Sequence, residues 1–266
     1  ALIVDHSGMP GMFKTGMQTG KQMFYRQVDH GITVLATGAL ANRPPQYLLG
    51  ENPGVSTQLD LQNFIEEQPE AVKAWENVVM IQCVGSRTAD NPNCSRICCQ
   101  SAVKNALRIR ELNPDARIFV LYRDMRTYGF QEEYYQKARE LGIIFTRYSQ
   151  DNPPVVEAAG ELLEVTFNDP ILGRKLTVSA DHLCLSTGLI ADEDSNNELA
   201  MVFKLSRTVD GYFLEDHIKL RPVDMQVPGF FVAGTAHSPK LIGESVAQAL
   251  AVASRARTML AKDSIN

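Results

Sequence analysis

The sequence lacks the features that mark membrane, secreted or nucleic-acid-binding proteins. No apolar run approaches the roughly 20 residues that a membrane-spanning helix needs, and no signal peptide is recognisable. The formal net charge of −5 lacks the basic excess that attracts nucleic acids and anionic membrane surfaces. We therefore expect no nucleic-acid partner and no direct membrane insertion.

Cysteine is scarce and an initiator methionine is absent. Five cysteines in 266 residues are too few and too clustered for the disulfide scaffold of a secreted protein. This usage favours a reducing, cytoplasmic compartment. The chain begins Ala-Leu-Ile-Val-Asp, a stretch with the pattern of a strand, so we expect it to be a fragment of a longer protein.

The order of predicted elements indicates an α/β fold. Residues 1–38 have a hairpin-like β pattern, and 32–36 form a buried strand that ends at Thr37 and Gly38. From residue 78, apolar strands alternate with the amphipathic helices of "CCQSAVKNALRIRELN" and "QEEYYQKARELG". This β-α-β-α-β order predicts a parallel sheet with right-handed crossovers, to which the hairpin patterns near 161–180 are added.

The domain organisation is predicted to be discontinuous. Residues 75–188 form a self-contained α/β domain, whereas the strand "GFFVAGTA" and the long terminal helix do not extend it naturally. We expect them to join the first segment. The prediction is one domain made of 1–74 and 189–266, with 75–188 inserted into it.

Three strands end in turns of small residues: "VLATGA" (34–39), "LCLSTGL" (183–189) and "FFVAGTA" (230–236). Small residues at a strand end let the backbone approach a ligand closely, although any buried strand leaving a sheet also needs a small turn. Three such turns around one inserted domain favour ligand binding.

Four of the five cysteines lie in "QCVGSRTADNPNCSRICC" (82–99), namely Cys83, Cys94, Cys98 and Cys99. They could be small buried residues, a redox pair or structural zinc ligands, but no C-x-x-C is present and a bridge between adjacent cysteines is strained. Metal ligation is favoured, and the spacing does not name the metal. Cys184, in the middle of a strand, is interpreted as a core residue.

These motifs resemble a known family. "ATG", "STG" and "GFFVAGTA…ESVAQALAVASRA" look like flavoproteins of the thioredoxin-reductase type, which have two dinucleotide-binding, Rossmann-like domains. More narrowly, "VVMIQCVGSR…CSRICCQSAVKNAL", "VLYRDMRTYGFQEEYYQKAR" and "HIKLRPVDMQVPGFFVAGTAHSPK" resemble the A subunit of heterodisulfide reductase. The resemblance implies FAD, a [4Fe–4S] cluster held by all four clustered cysteines, and a complex with other reductase subunits.

One departure from the family limits these expectations. The family's FAD-binding domain begins with a strand, a G-x-G-x-x-G turn and a helix, and this sequence contains no such unit. We therefore expect an FAD domain that is incomplete at its amino terminus and has the missing part of the same protein as a partner. The fragment alone is expected to hold FAD weakly, to lose its cluster in air, and to be inactive.

The resemblance also implies roles for residues near the flavin. Lys104, in a C-C-x-x-A-x-K pattern, would approach the flavin and stabilise its reduced anion, although a solvated helical lysine is the common alternative. Ser245 could equally be a plain helix cap. The expected flavin contacts are Thr37, Gly38, Gly234, Thr235, Ala236, Glu244 and Ser245.

The predicted function is electron transfer between FAD and iron–sulfur clusters in a heterodisulfide-reductase-type complex, with flavin-based bifurcation implied by resemblance only. One alternative is an NAD(P)H-dependent disulfide oxidoreductase. Another, of a different class, is a non-catalytic interaction module stabilised by zinc.

Overall fold

The computed structural model describes residues 1–261 and divides into two compact units. The first unit contains Ala1–Leu40 and the chain from Leu189 onward, and the second is Ala41–Gly188. Within residues 1–261, no helix is both long and apolar enough to cross a membrane.

The chain begins with five strands: β1 (Leu2–Ser7), β2 (Phe13–Thr19), β3 (Phe24–His30), β4 (Thr33–Leu35) and β5 (Leu40–Ala41). The second unit continues with β6 (Val55–Thr57), α1 (Gln58–Glu67), α2 (Pro69–Val72), β7 (Asn77–Ile81), α3 (Cys98–Leu112), β8 (Arg117–Tyr122), α4 (Gln131–Glu140), β9 (Ile144–Arg147), β10 (Val155–Ala159), β11 (Leu162–Asp169), β12 (Arg174–Ala180) and β13 (His182–Leu185). The first unit then resumes with β14 (Leu189–Ile190), α5 (Glu193–Phe203), β15 (Phe230–Val232), a 3₁₀ turn (Gly234–Ala236) and α6 (Ile242–Leu260).

A five-stranded parallel sheet, in the order β6-β13-β7-β8-β9, forms the centre of the second unit. One face packs against α1, α3 and α4, and the other packs against the antiparallel sheet β10-β11-β12. Parallel sheets are covered on both faces, which is why β7 and β13 read as continuous apolar runs. The predicted α/β class, with a parallel sheet and added hairpins, is confirmed.

The boundary between the units differs from the one drawn from the sequence. Residues 41–74 lie in the second unit, whereas the sequence placed 1–74 together in the discontinuous domain. The reason is that β6 pairs in parallel with β13, and Leu61 and Ile65 of α1 share a core with α3. Strand β6 has only three residues, too few to show the alternation of apolar and polar residues by which a strand is recognised in a sequence.

The first unit contains the antiparallel sheet β1-β2-β3 and a parallel pair formed by β4 and β15. Phe230 lies opposite Thr33, and Val232 lies opposite Leu35. Aromatic rings form much of this core: the ring centroid of Phe230 lies 5.4 Å from that of Phe13 and 5.1 Å from that of Phe203. The parallel pairing brings the carboxyl ends of β4 and β15 to the same edge.

His182 makes the stability of the second unit depend on pH. Its ring stacks on Trp75 at 4.5 Å, Ser56 Oγ lies 2.7 Å from its Nε2, and burial lowers its pKa from 6.5 to about 4. The fold therefore favours neutral His182, so stability is fully present above about pH 6.5 and is lost as the pH falls towards 4. We expect a loss of about 3 kcal/mol over that range.

Urea unfolding at pH 7.5 and pH 4.5, followed by the fluorescence of Trp75, measures this loss, since Trp75 is the single tryptophan of the chain. His182→Phe should keep the stack and reduce the difference between the two pH values. His217→Phe, at an exposed histidine of the first unit, is the control and should leave the difference unchanged. An identical pH dependence in His182→Phe would contradict the assignment.

Candidate functional site

The clustered cysteines lie at the carboxyl end of the parallel sheet. Cys83 follows β7, and α3 begins at Cys98. The residues between them, 84–97, form an irregular loop held by its own hydrogen bonds, such as Asn91 Nδ2 to the Gly85 carbonyl at 2.9 Å. We call residues 83–99 the cysteine loop. In open α/β sheets, ligands bind at this end of the strands.

The backbone of the cysteine loop adopts an uncommon conformation at three residues that are not glycine. Cys83, Arg87 and Arg96 have φ angles of 62°, 57° and 62°. Side chains with a Cβ rarely adopt this left-handed region, and such residues persist where the surroundings over-determine them. The loop therefore holds a costly, defined shape around its thiols.

The four thiols interact electrostatically. Burial is the largest cause that raises the pKa of Cys98 to about 12, and the charges of Cys99, Cys94 and Cys83 raise it further. Burial likewise raises the pKa of Cys99 to about 11. Cys98 and Cys99 are therefore protonated at neutral pH, and a bound cation would be needed to hold them as thiolates.

Arginines surround the cysteine loop. Arg87 donates to Cys83 Sγ at 3.8 Å and to Asp124 Oδ2 at 2.5 Å, and Arg147 donates to Asp124 Oδ1 at 3.3 Å. The charges of Arg87 and Arg123 oppose the rise in the pKa of Cys83 that burial causes. The site therefore presents a positive environment to any anionic group.

The turn after β13 packs against the cysteine loop. Gly188 has a φ of 76°, and a Cβ there would lie 2.5 Å from Ser95 Oγ and 3.6 Å from Cys98 Sγ. Asn42 Nδ2 donates hydrogen bonds to the carbonyl oxygens of Gly85, at 3.3 Å, and Thr187, at 3.4 Å, and so joins the two segments. The small residues of "STG" are thus needed for close approach to this loop.

Gln82, which precedes Cys83, and Ser186, which follows β13, have buried polar atoms without a hydrogen-bond partner among the described residues, as does Gln100, which follows Cys99. Both polar atoms of Gln82 and the Ser186 hydroxyl are unpaired, and each residue is at most 1% exposed. An unpaired buried polar group costs about 1–3 kcal/mol, so native proteins pair nearly all of them. Unpaired donors, Gln82 Nε2 and the Ser186 hydroxyl, therefore lie just beyond the carboxyl ends of β7 and β13, beside the cysteine loop.

The cysteines have the number and chemistry of metal ligands, but their side chains are not arranged around a metal ion. Within residues 1–261, no three His, Cys, Asp or Glu side chains are arranged to hold a metal ion. The four cysteines nevertheless suit an iron–sulfur cluster in number, in ligand type and in placement at one loop, and the unpaired donors are of the kind that bond to cluster sulfur. Ligation by Cys83, Cys94, Cys98 and Cys99 stays a prediction. Cys184 is fully buried in the core.

Five of the predicted flavin residues lie in two neighbouring turns of the first unit. Thr37 and Gly38 follow β4, and Gly234, Thr235 and Ala236 follow β15, so the parallel pairing places both turns at one edge. A Cβ on Gly38 would lie 4.0 Å from Thr235 Oγ1. The two turns form a candidate ligand edge, and their contact with flavin stays a prediction.

A polar network supports the turn at Gly234. Gln248 Oε1 accepts from the Gly234 N–H at 2.9 Å, and Gln248 Nε2 donates to His237 Nδ1 at 2.9 Å. His237 Nε2 in turn meets Glu215 Oε2 at 2.8 Å. Since His237 Nδ1 accepts a hydrogen bond from Gln248, the ring carries its proton on Nε2 and donates it to Glu215. Sequence reasoning missed Glu215 and Gln248, because nothing local marks either residue.

The start of α6 is capped by Glu244. Its carboxylate accepts from the Leu241 N–H at 2.8 Å, whereas the Ser245 N–H begins the helical ladder by donating to the Leu241 carbonyl. Ser245, named from the sequence as a possible cap, therefore lies inside the first turn of the helix. An acidic group at this position also suits the helix dipole.

Lys104 lies on an exposed side of α3. Its Nζ donates to Gln62 Oε1 of α1 at 2.5 Å, and burial is the main cause that lowers its pKa. This local contact is compatible with the alternative of a solvated helical lysine. Its approach to a flavin stays a prediction.

No protein-family model matches the chain. It is 37% identical over 240 residues to the A subunit of the H(2)/formate:CoB-CoM heterodisulfide,ferredoxin reductase from Methanococcus maripaludis, covering 84% of this chain and 36% of the relative. It is 38% identical over 224 residues to the iron-sulfur A subunit of CoB–CoM heterodisulfide reductase from Methanocaldococcus jannaschii, covering 79% and 34%. The chain thus spans about a third of the length of these relatives.

Among solved structures, the chain resembles thioredoxin reductases. The enzyme from T. acidophilum superposes with a TM-score of 0.58 at 16% identity, over 99% of this chain and 74% of that one. The enzyme from Lactococcus lactis gives 0.59 at 16% identity, over 98% and 74%. These likenesses confirm the thioredoxin-reductase-like fold.

Proposed function

Because this chain is homologous over most of its length to the A subunits of heterodisulfide reductases, we propose that it is the electron-transfer core of such a protein. In this proposal the first unit binds FAD and the cysteine loop of the second holds a [4Fe–4S] cluster. The partners are the other subunits of the complex and the rest of the same protein. Five free thiols suit a reducing, cytoplasmic setting.

The observation that carries the proposal is the cysteine loop itself. It carries four cysteines at the ligand-binding end of a parallel sheet, in a strained backbone, beside the unpaired donors of Gln82 and Ser186. A buried redox disulfide would need two of these thiols and would leave the other two, and the polar groups, unexplained. Four soft ligands with spare donors match a cluster.

Each part of the site has a task in this proposal. An iron–sulfur cluster supplies one-electron transfer and FAD supplies two-electron transfer when they are bound. Arg87 and Arg123 offset the negative charge of four thiolates, and Gly188 leaves room beside Cys98. In the first unit, Gly38 and Gly234 let the backbone approach the flavin, and Gln248 fixes the Gly234 N–H. Bifurcation of electron pairs would be a property of the whole complex.

The two alternative functions, an NAD(P)H-dependent oxidoreductase and a zinc-stabilised interaction module, predict different experimental results. An NAD(P)H-dependent disulfide oxidoreductase needs a glycine-rich phosphate loop after β7, where this chain has the cysteine loop. That function predicts protection of the second unit by nucleotide in hydrogen exchange. A zinc-stabilised interaction module predicts zinc without sulfide.

Analysis of iron, zinc and acid-labile sulfide in anaerobically purified or reconstituted protein separates these functions. We expect about four iron and four sulfide per chain, with broad absorbance near about 400 nm. Stoichiometric zinc with no sulfide, or nucleotide protection with no metal, would overturn the proposal.

FAD retention by this chain alone is expected to be weak. The sequence contains no glycine-rich turn at a helix amino terminus to bind the pyrophosphate, which is the main source of N–H donors in dinucleotide sites. Gel filtration after incubation with excess FAD should leave less than about a tenth of the chains with flavin. A flavin-replete preparation of the 266-residue chain would contradict this expectation.

A further inference from the structure

The hydrogen bonds that begin at Gly234 all run in one direction. A backbone N–H is always a donor, so the Gly234 N–H fixes Gln248 Oε1 as its acceptor, at 2.9 Å. Gln248 Nε2 must then face His237 Nδ1, at 2.9 Å, and His237 Nε2 faces Glu215 Oε2, at 2.8 Å. Each group donates to the next. We call these four residues the Gly234 relay.

The Gly234 relay holds together only while His237 is neutral. Nδ1 accepts from Gln248 because it carries no proton, whereas a protonated ring has an N–H on both nitrogens. A protonated Nδ1 would face the hydrogens of Gln248 Nε2, donor against donor. The side chain of His237 is only 21% exposed, so water does not readily separate the two groups. Native structures avoid such unpaired donors.

Rotation of the Gln248 carboxamide by half a turn removes this conflict. Oε1 then accepts from the protonated His237 Nδ1, and Nε2 takes the former place of Oε1 beside Gly234. The oxygen and nitrogen ends of a carboxamide have nearly the same shape, so the rotation leaves the packing unchanged. The Gly234 N–H now faces a donor, and it is free to donate to a different acceptor.

Two charged groups face His237 and act on its proton in opposite senses. Glu215 accepts from Nε2 and favours the protonated ring, whereas Lys240 Nζ, 3.3 Å from Nδ1, opposes it. Burial raises the pKa of Glu215, but the hydrogen bond from His237 and the charges of His237 and Lys240 lower it overall, so this carboxylate is ionised at neutral pH. Lys240 Nζ also donates to the Ser238 hydroxyl at 3.0 Å, a partner that it keeps if it moves away from Nδ1.

The Gly234 N–H lies where a ligand can reach it. Gly234 has a φ of 68°, and among the described residues no atom beyond its neighbours in the chain lies within 4 Å of a Cβ built there. The turn that contains it follows β15, beside the turn of Thr37 and Gly38 that follows β4. A ligand at this candidate ligand edge therefore meets the Gly234 N–H once Gln248 releases it.

We propose that Gln248 is a two-position switch that couples a proton on His237 to ligand binding at the Gly234 N–H. With His237 neutral, Gln248 occupies this N–H. With His237 protonated, the N–H is open to an acceptor oxygen of a ligand, such as a carbonyl or phosphate oxygen. By linkage, such a ligand takes up a proton as it binds, and it binds more tightly as the pH falls. The switch itself needs no cofactor, and only the identification of the ligand as flavin rests on the proposed function.

Nuclear magnetic resonance on the ¹⁵N-labelled chain tests the switch without any added ligand. The ring nitrogens of His237 report its tautomer and its protonation, and exchange of the Gly234 amide with deuterium reports the hydrogen bond to Gln248. Between about pH 8 and pH 5, after correction for the intrinsic pH dependence of exchange, we expect the protection of Gly234 to fall at least about tenfold as His237 takes up its proton. The amide of Val232, which donates to the Val223 carbonyl at 2.9 Å, is the internal control and should stay protected.

Gln248→Glu separates the switch from a general loosening of the turn. A carboxylate of the same shape accepts from the Gly234 N–H and from protonated His237 without rotating, because both of its oxygens are acceptors. The protection of Gly234 should therefore stay high in this variant while His237 titrates. His217→Phe, at an exposed histidine of the same unit, is the matched control and should behave like the unchanged chain.

Four results would overturn the inference: a neutral His237 ring with its proton on Nδ1, a ring that stays neutral down to about pH 5, a ring that titrates without any change at Gly234, or an equal fall of protection in Gln248→Glu. A parallel fall at Val232 would also overturn it, since the whole turn would then be loosening. None of these measurements depends on iron or FAD. Failure of the proposed function therefore leaves the switch standing, and failure of the switch leaves the proposed function standing.

Discussion

Replacing Cys98 by serine is expected to reduce the iron content of anaerobically reconstituted protein from about four per chain to below about one. Cys98 lies at the first position of α3, and the charges of the other three clustered cysteines act on it. A cluster that loses one of four thiolates loses both a strong bond and the charge that balances its iron. Iron and sulfide analysis, with absorbance near about 400 nm, measures the effect, and Cys94→Ser should behave alike.

The control for Cys98→Ser is Cys184→Ser. Cys184 is fully buried in β13 and lies opposite Ser56 of β6, and serine differs from cysteine by one atom, so the replacement changes little but the ligand chemistry. This variant should retain its iron despite some loss of stability. Trp75 fluorescence melting curves of both variants show whether the second unit is folded. Full iron in a folded Cys98→Ser protein would remove Cys98 from the ligand set.

The parallel sheet was predictable because its strands are apolar and separated by amphipathic helices. The positions of the cysteines were predictable once the strands and helices were recognised. A residue that follows a buried strand, or that begins the next helix, lies at the carboxyl end of the sheet. Strand β6 was not predictable, because Val55–Thr57 is recognised only by its pairing with β13. Its pairing also explains why the predicted boundary at residue 74 differs from the structure.

The polar surroundings of the two sites depend on contacts that are distant in sequence. Glu215 and Gln248 meet through His237, and Arg87 meets Asp124 across 37 positions. Neither set has a local signature, since Glu, Gln and Arg are common on surfaces. The unpaired atoms of Gln82 are likewise visible only once burial is known. Sequence patterns thus locate the sites, whereas the groups that tune them come from tertiary packing.

Asp224→Ala is expected to destabilise the first unit by about 3 kcal/mol. The side chain of Asp224 is only 4% exposed and accepts three hydrogen bonds from Arg255 of α6, at 3.3, 3.0 and 2.9 Å, with Arg221 at 3.6 Å. Its backbone also bridges to Phe231 in β15. The carboxylate therefore joins α6 to the strand that carries the Gly234 turn. Its removal leaves two arginines without their shared partner.

Hydrogen exchange measured by mass spectrometry on peptides covering β15 reports the loss in the first unit. Trp75 fluorescence, which reports the second unit, should not change, because the two units have separate cores. Asp216→Ala is the matched control: Asp216 also binds Arg221, at 2.7 Å, but its side chain is 28% exposed, so a loss below about 1 kcal/mol is expected. Equal effects of the two substitutions would mean that burial of the Asp224 carboxylate contributes little, and that α6 is held by its apolar contacts at Val252 and Ala256 instead.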